Sequence, residues 1–91
     1  MGHYRLIDNE NKSQYEFHIE GHIARIEYYR LGDEIHLTHA KVPSELTGRG
    51  IGQVLIERVL FDIENKGLIL VPACSFVADF INRNPEWRRL M

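Results

Sequence analysis

Three glycines on alternate positions, Gly48, Gly50 and Gly52, stand immediately before the longest helix-like pattern in the chain. Glycine has no Cβ, so a turn built from it can adopt positive φ angles and let a ligand approach the backbone closely. The first turn of a following helix adds unpaired N–H donors and the positive end of the helix dipole. Residues 47–52 therefore predict either a site for a phosphate or pyrophosphate group or a tight connection between two elements.

Two common nucleotide-binding motifs do not match this stretch. A P-loop ends in Gly-Lys followed by Ser or Thr, and the Rossmann fingerprint has two residues between its second and third glycines. The spacing here is Gly-x-Gly-x-Gly. The rest of the chain must therefore decide between the two interpretations.

Before the glycines, apolar residues recur mainly at every second position, which is the period of a β-strand. The alternation predicts four antiparallel strands joined by polar or glycine-containing turns, over residues 4–8, 15–19, 23–31 and 34–42. Pro43 cannot donate a hydrogen bond to a neighbouring strand, so regular pairing should end near Val42. The chain should then turn out of the sheet into the glycine-rich stretch.

The same alternation predicts which strand residues face solvent. In the second strand Glu16 and His18 alternate with apolar residues, so they are expected on a solvent-exposed face. In the fourth strand His39 is expected on the same face as Ile35 and Leu37. A lone histidine on an apolar face is either a hydrogen-bonded core residue or a catalytic base.

After the glycines, the apolar period changes to that of a helix. Apolar residues at helical spacing predict a first helix over residues 50–66, with Gly67 as its C-terminal cap. A continuous apolar run at residues 68–71, stopped by Pro72, is typical of a strand covered on both faces. Apolar pairs four positions apart predict a second helix over residues 75–83.

The predicted order of elements, β-β-β-β-α-β-α, indicates an α+β fold with one domain over residues 1–91. A crossover through a helix is right-handed in nearly all proteins, so the fifth strand should lie parallel to the fourth. The glycine-rich stretch then follows the C-terminal end of the fourth strand. Ligands commonly bind outside that end of a sheet, which agrees with a binding role for the glycines.

Charge and cysteine content argue against several kinds of partner. Eleven basic and 13 acidic residues give a net charge of −2, so no general attraction to nucleic acid or to an anionic membrane is expected. No apolar run approaches the roughly 18 residues of a membrane span, and residues 1–5 lack the apolar core of a signal peptide. A single cysteine, Cys74, without a Cys/His cluster at zinc spacing predicts no metal site and a reducing, cytoplasmic setting.

The order of these motifs resembles the GNAT superfamily of acetyl-CoA-dependent N-acetyltransferases, and most of all its smallest single-domain members. The resemblance runs over residues 15–87. It rests on Leu37-Thr38-His39, Val42-Pro43, Gly48-x-Gly50-Ile51-Gly52, Pro72-x-Cys74-Ser75-Phe76-Val77 and Arg83-Asn84-Pro85-Glu86-Trp87. It implies a GNAT-like mixed sheet in which strands four and five are parallel and splay apart.

The resemblance also implies acetyl-CoA as the cofactor and an amine of unknown identity as the acceptor. The residues that it assigns to the pyrophosphate of the cofactor are Thr47, Gly48, Arg49, Gly50, Ile51 and Gly52. The acetyl and pantetheine groups would lie between strands four and five, where the flanking residues include Thr38, Ala40 and Val42. The alternatives are a non-catalytic acyl-CoA-binding or protein-interaction module, and a small scaffold protein whose glycine loop is a turn.

Two departures from the family pattern affect these expectations. Thr47 stands where the family usually has Arg or Gln, and Arg49 could compensate in part. Larger members often use a Tyr on the helix after strand five to protonate the leaving thiolate, but this chain has Phe76, Phe80 and Ile81 there. The usual acid is therefore missing from the sequence.

Cys74 and His39 are the candidate catalytic residues. In the resembling fold, Cys74 follows the proline that ends strand five, close to the acetyl thioester. A helix N-terminus stabilises a thiolate, so Cys74 could act as a nucleophile or as an acid, and otherwise it is a small packing residue. His39 is the titratable group best placed to deprotonate an amine.

The acceptor side of the site is expected to be open. The chain is too short to hold the helices that wall off the amine in larger relatives, so a bulky acceptor or a second copy of the chain could cover it. Val54 and Phe61 lie off the main apolar stripe of the first helix, which also predicts a homodimer or a protein partner.

Overall fold

A computed structural model describes residues 4–91 as one five-stranded sheet with two α-helices. The strands are β1 (Ile7–Asn9), β2 (Gln14–Ile19), β3 (His22–Leu31), β4 (Glu34–Lys41) and β5 (Ile69–Pro72). The helices are α1 (Ile51–Lys66) and α2 (Ser75–Arg83), and short 3-10 helices span Glu10–Lys12, Ser44–Leu46 and Pro85–Leu90. The sequence features of residues 1–3 lie outside the described residues.

The sheet has the predicted topology. Its strand order is β1-β2-β3-β4-β5, with antiparallel pairs up to β4 and a parallel pair between β4 and β5. The predicted order of elements and the α+β class are therefore confirmed. The first strand was predicted at residues 4–8, but β1 is Ile7–Asn9, because the asparagine that ends it also caps the following 3-10 turn by accepting a 3.3 Å bond from the backbone N–H of Lys12.

Both helices pack on one face of the sheet and enclose a single apolar core. Tyr15, Phe17, Ile26 and Leu37 are buried on that face, opposite the apolar stripe of α1. The core also includes Trp87 from the last 3-10 helix, whose ring meets Phe61 edge-on with ring centroids 4.9 Å apart. Phe61 was expected to lack a partner within the chain, but its side chain packs on Trp87 and remains half-exposed. Val54, for which the same was expected, packs against the core.

A β-bulge in β4 changes which side chains face the core. Glu27 of β3 pairs with His39, and the next residue, Tyr28, pairs with Leu37, so Thr38 is an extra residue in β4. An extra residue inverts the alternation beyond it. His39 is consequently exposed, and the expectation that it shares the face of Leu37 is wrong. Ala40 takes the place on that face instead, opposite buried Ile26.

Glu16 is the second residue whose predicted environment is wrong, because it is 3% exposed. Its carboxylate accepts hydrogen bonds from Asn9, at 3.0 Å, and Gln14, and contacts His18 Nε2 at 2.7 Å. Burial by itself raises the pKa of this carboxyl, but the bonds from His18, Gln14 and Asn9 outweigh burial and hold the pKa below its usual value. Neighbouring polar side chains, rather than apolar ones, cover this carboxylate.

A polar cluster fixes the C-terminal half of α1 on the sheet. The hydroxyl of Tyr15 donates a 2.6 Å hydrogen bond to Asp62, and that of Tyr28 donates a 2.6 Å bond to Asp8. Lys66 bridges both carboxylates, at 2.7 Å from Asp62 and 2.9 Å from Asp8. Because every charge in the cluster is paired, these bonds hold the helix at a defined position and thereby orient its N-terminus.

Candidate functional site

The backbone between β4 and α1 adopts the conformation that the glycines allow. Gly48 has φ +81° and Gly50 has φ +70°, both in the left-handed region, and a Cβ at either position would meet no atom within 4 Å. Gly50 is also the N-terminal cap of α1, and no side chain caps this end of the helix. These two glycines therefore serve the backbone conformation rather than packing.

The N-terminus of α1 presents N–H groups that lack helical partners. The first backbone bond at this end runs from the N–H of Val54 to the carbonyl of Gly50, at 3.2 Å. The amides of residues 51–53 precede it and therefore have no acceptor within the helix. No acidic residue stands in the first turn to offset the positive end of the dipole. This helix end is suited to an anion.

A 3-10 turn anchors the loop on its N-terminal side. Leu46 is buried, and its N–H bonds the carbonyl of Pro43 at 2.9 Å. Thr47 donates to the carbonyl of Ser44 from both its hydroxyl, at 2.8 Å, and its N–H, at 3.2 Å. The Thr47 hydroxyl proton is thus already used within the loop, which leaves anion binding mainly to backbone groups.

Two adjoining cavities begin at this loop. The first has a volume of about 330 Å³, and its lining residues are Val42, Leu46, Thr47, Gly48, Gly50, Ile51, Gly52, Gln53 and Phe76. The second, of about 270 Å³, is lined by Ala40, Val42 and Phe76. Since both share Val42 and Phe76, they form one cleft that runs from the helix N-terminus along the end of β4.

The cleft continues where β4 and β5 separate. The two strands pair from Glu34 with Ile69 to Leu37 with Pro72, after which β4 continues to Lys41 without a partner strand on that side within residues 4–91. The N–H of Ala73 turns back to the carbonyl of Val71 at 3.0 Å. The end of β4 therefore offers one backbone edge for extended hydrogen bonding, as predicted for splayed strands.

The predicted site residues are distributed unevenly around this cleft. Seven of them line it, namely Ala40, Val42, Thr47, Gly48, Gly50, Ile51 and Gly52. Thr38 lies at the bulge, where its hydroxyl donates to the carbonyl of Glu27 at 3.3 Å. Arg49 is the one residue of 46–53 that does not line the cleft, because its side chain points to Glu20.

The two candidate catalytic residues lie on different elements of the fold. Cys74 is half-buried at the N-terminal cap of α2, two residues before Phe76 of the cleft. His39 lies on the exposed face of β4, opposite Glu27. Within residues 4–91 no side-chain hydrogen bond joins the two, so they do not form a catalytic pair in this conformation.

Sequence reasoning did not assign Gln53, Leu46 or Phe76 to the site. Phe76 was assigned to an apolar pair on α2, yet its ring lines both cavities. The signal that could have identified it is its place in the stretch Pro72-x-Cys74-Ser75-Phe76-Val77, which carries part of the family resemblance. In the described part of the chain, no group of three or more His, Cys, Asp or Glu side chains could hold a metal ion. None of the helices in that part is long and apolar enough to span a membrane.

Comparison with known proteins identifies the fold and the family. The model of the GCN5-related N-acetyl-transferase family matches residues 14–90. The NMR solution structure of a GCN5-like protein from Staphylococcus aureus superposes with a TM-score of 0.74 at 20% identity, covering 99% of this chain and 89% of that one. The shared architecture and the match over most of the sequence establish that the chain belongs to the GCN5-related N-acetyltransferase family.

Proposed function

We propose that this protein binds acetyl-CoA in the cleft and transfers the acetyl group to an amine. The observation that carries the proposal is the continuity of the cleft between two binding elements of different chemistry. One end holds unpaired amides at the N-terminus of α1, and the other holds the unpaired edge of β4. A pyrophosphate joined to an extended arm with amide groups matches both elements in order.

The residues of the chain have defined tasks in this proposal. Backbone N–H groups of residues 50–53 bind the pyrophosphate, with Gly48 supplying the left-handed turn that aims them inward. The unpaired edge of residues 38–41 bonds the amides of the pantetheine arm, while Val42 and Phe76 contact its methylene groups. Acetyl-CoA supplies a thioester carbonyl, and holding that carbonyl beside an amine accounts for much of the rate by proximity.

Proton transfer is the step for which side chains are required. When the amine nitrogen bonds the carbonyl carbon and the carbon–sulfur bond breaks, the nitrogen loses a proton and the leaving thiolate gains one. Cys74, the N-terminal cap of α2 two residues before Phe76, is the proposed proton donor to the thiolate. His39 is the proposed base on the exposed side, where the acceptor arrives, and solvent returns the proton to Cys74.

A non-catalytic acyl-CoA-binding module is the second candidate function. The observation that favours it is that α2, the helix on which larger members of the resembling family often carry a Tyr acid, contains no tyrosine. In that case Cys74 and His39 have no chemical role, and binding occurs without turnover.

The acceptor and the assembly state extend the same proposal. Ile23, Tyr29, Leu31 and Ile69 are exposed side chains on the sheet face opposite the helices. We propose that this face is covered by a bulky acceptor or by a second copy of the chain, and that the protein acts in the cytoplasm. Light scattering that finds only monomer at high concentration would contradict the homodimer.

The decisive test compares two glycines with the same backbone conformation. Gly50→Glu places a carboxylate at the proposed pyrophosphate site, whereas Gly67→Glu places the same side chain at the other end of α1, where φ is +68° and a Cβ also meets nothing within 4 Å. By calorimetry we expect Gly50→Glu to weaken acetyl-CoA binding about tenfold or more and Gly67→Glu to leave it unchanged. Equal affinity in both folded variants would refute the site.

Turnover is tested separately by release of free thiol from acetyl-CoA with a panel of amines. Release that depends on both the protein and an amine supports the transferase. Binding without release from any amine class supports the acyl-CoA-binding module instead.

A further inference from the structure

Arg49, the cation of the glycine loop, is held away from the cleft by Glu20. Its Nη1 and Nη2 atoms donate to the same carboxylate oxygen of Glu20, at 3.0 and 2.7 Å. The two residues are 29 positions apart, so the contact joins the turn between β2 and β3 to the loop before α1. Loop residues on both sides of Arg49 line the cleft, so the pairing holds the positive charge of the loop away from it.

Glu20 occupies a backbone conformation that does not suit glutamate. It forms a two-residue turn with Gly21, between the paired residues Ile19 and His22. Both turn residues have positive φ, +54° for Glu20 and +80° for Gly21. Turns of this geometry favour Asn or Gly at the first position, because in the left-handed region a Cβ atom crowds the following carbonyl, and glutamate lacks the short polar group with which Asn offsets that cost. A residue kept at such a position is a candidate for a functional role of its side chain.

The loop geometry allows Arg49 to change partner. Gly48 and Gly50 flank it, and neither has a neighbouring atom where a Cβ would lie, so the backbone on both sides of the arginine is unobstructed. The side chains of the pair are 39% and 64% exposed, which makes the ion pair weak and readily exchanged in water. A pyrophosphate carries more charge than one carboxylate and so competes well for a guanidinium.

We propose that Glu20 is an internal competitor for the cofactor site, which occupies Arg49 in the free protein and releases it when the pyrophosphate enters. The inference rests on the proposed binding of acetyl-CoA. Breaking the Glu20 pair then subtracts from the binding free energy, so Glu20 sets the affinity below the value that the loop could reach. It also discriminates against ligands with a single negative charge, because these gain little over the carboxylate they displace.

Calorimetry with acetyl-CoA on Glu20→Gln, Arg49→Gln and the double variant tests this competition. We expect Glu20→Gln to bind acetyl-CoA about two- to fivefold more tightly than the parent, the range that an exposed ion pair can supply. Arg49→Gln should bind more weakly. The gain in affinity from Glu20→Gln should disappear in the Arg49→Gln background, because residue 20 then has no guanidinium to pair with.

A matched control separates competition from simple repulsion. Glu45 is another exposed carboxylate beside the loop, 3.9 Å from His22 and not bonded to Arg49. Glu45→Gln should leave the affinity for acetyl-CoA unchanged. An equal gain in Glu20→Gln and Glu45→Gln, or a gain that persists without Arg49, would show general repulsion and overturn the proposal.

The remaining outcomes are equally distinct. If Glu20→Gln binds acetyl-CoA as the parent does or more weakly, Glu20 is a structural partner of Arg49 or positions it for binding, and the competition is refuted while the proposed function stands. If neither the parent nor any variant binds acetyl-CoA, the proposed function fails and the competitor role fails with it.

Discussion

A Cβ atom on Gly52 would lie 2.9 Å from Cζ of Phe76 and 3.3 Å from Cγ2 of Val42. Gly52 has an ordinary helical conformation, so its missing side chain serves close packing of α1 against α2 and against Val42, the residue after β4. The three glycines of the loop thus have two different tasks. Gly48 and Gly50 shape the backbone, and Gly52 leaves room for the ring that lines the cleft.

This contact predicts that Gly52→Ala separates stability from binding. The methyl group pushes the Phe76 ring toward the cleft, but alanine is also the better helix former by up to about 1 kcal/mol. We therefore expect a free energy of unfolding within about 1 kcal/mol of the parent in urea denaturation. Affinity for acetyl-CoA should fall, and the double variant Gly52→Ala with Phe76→Leu should recover it. Unchanged affinity in Gly52→Ala alone would place the ligand away from Phe76.

The Tyr15 and Tyr28 hydroxyls predict a loss of stability at alkaline pH. Burial and the bonds to Asp62 and Asp8 raise the pKa of both phenols well above the ordinary value of 10.0. For Lys66, burial alone would lower the pKa, but the ion pairs with the same carboxylates raise it. Each raised pKa means that the folded state keeps a proton that the unfolded state loses. The stability that these groups contribute is therefore fully present below pH 10.0 and is lost as the pH rises above it.

The measurement is the melting temperature between about pH 9 and pH 11, a range centred on the pKa of free tyrosine. Above that pKa, each buried phenol lowers the free energy of unfolding by up to about 1.4 kcal/mol per pH unit. We expect the double variant Tyr15→Phe with Tyr28→Phe to melt with a shallower pH slope than the parent. The single variant Tyr29→Phe is a suitable control because its ring is exposed. Identical slopes in parent and double variant would contradict the assignment.

The sequence predicted the helices and most strands of this fold from their apolar period, and β5 from a continuous apolar run. Its failures at single residues have a common cause in pairing between distant segments. The bulge at Thr38 depends on how β4 is registered against β3, so strict alternation along β4 misplaces the residues beyond it. The apolar residues Ile35, Leu37, Ala40 and Val42 do skip one position, which was the available signal.

Two further misses have the same origin. Glu16 is buried because side chains from β1 and β2 turn toward its carboxylate, and a polar residue covered by other polar residues leaves no hydropathy signal. The pairing of Arg49 with Glu20 crosses 29 positions and depends on a turn conformation at Glu20 that its residue type disfavours. The loop itself was identified in sequence, because its alternate glycines are a local feature of the chain.

The two chemical roles proposed for Cys74, acid and nucleophile, differ in an observable way. Cys74 lies half-buried at the α2 N-terminus, and its carbonyl accepts the first helical bond from Ala78 at 2.9 Å. If it protonates the leaving thiolate, Cys74→Ala should keep its affinity for acetyl-CoA and lose transfer rate by about 100-fold, which is the low end for a general acid. A small loss of stability, on the order of 1 kcal/mol, is expected from the cavity.

The nucleophile alternative requires a covalent adduct that the acid mechanism does not. Transfer of an acetyl group from a thioester to a thiol needs no amine. A nucleophilic Cys74 would therefore carry an acetyl group after exposure to acetyl-CoA alone. We expect intact mass spectrometry of the parent to show no acetyl adduct, with Cys74→Ser as the matched control for acetylation at other sites. An adduct that passes its acetyl group to an added amine would establish the nucleophile and refute the acid. No adduct together with an undiminished rate in Cys74→Ala would leave Cys74 as a packing residue, and the proton for the thiolate would then have to come from solvent at the open end of the cleft.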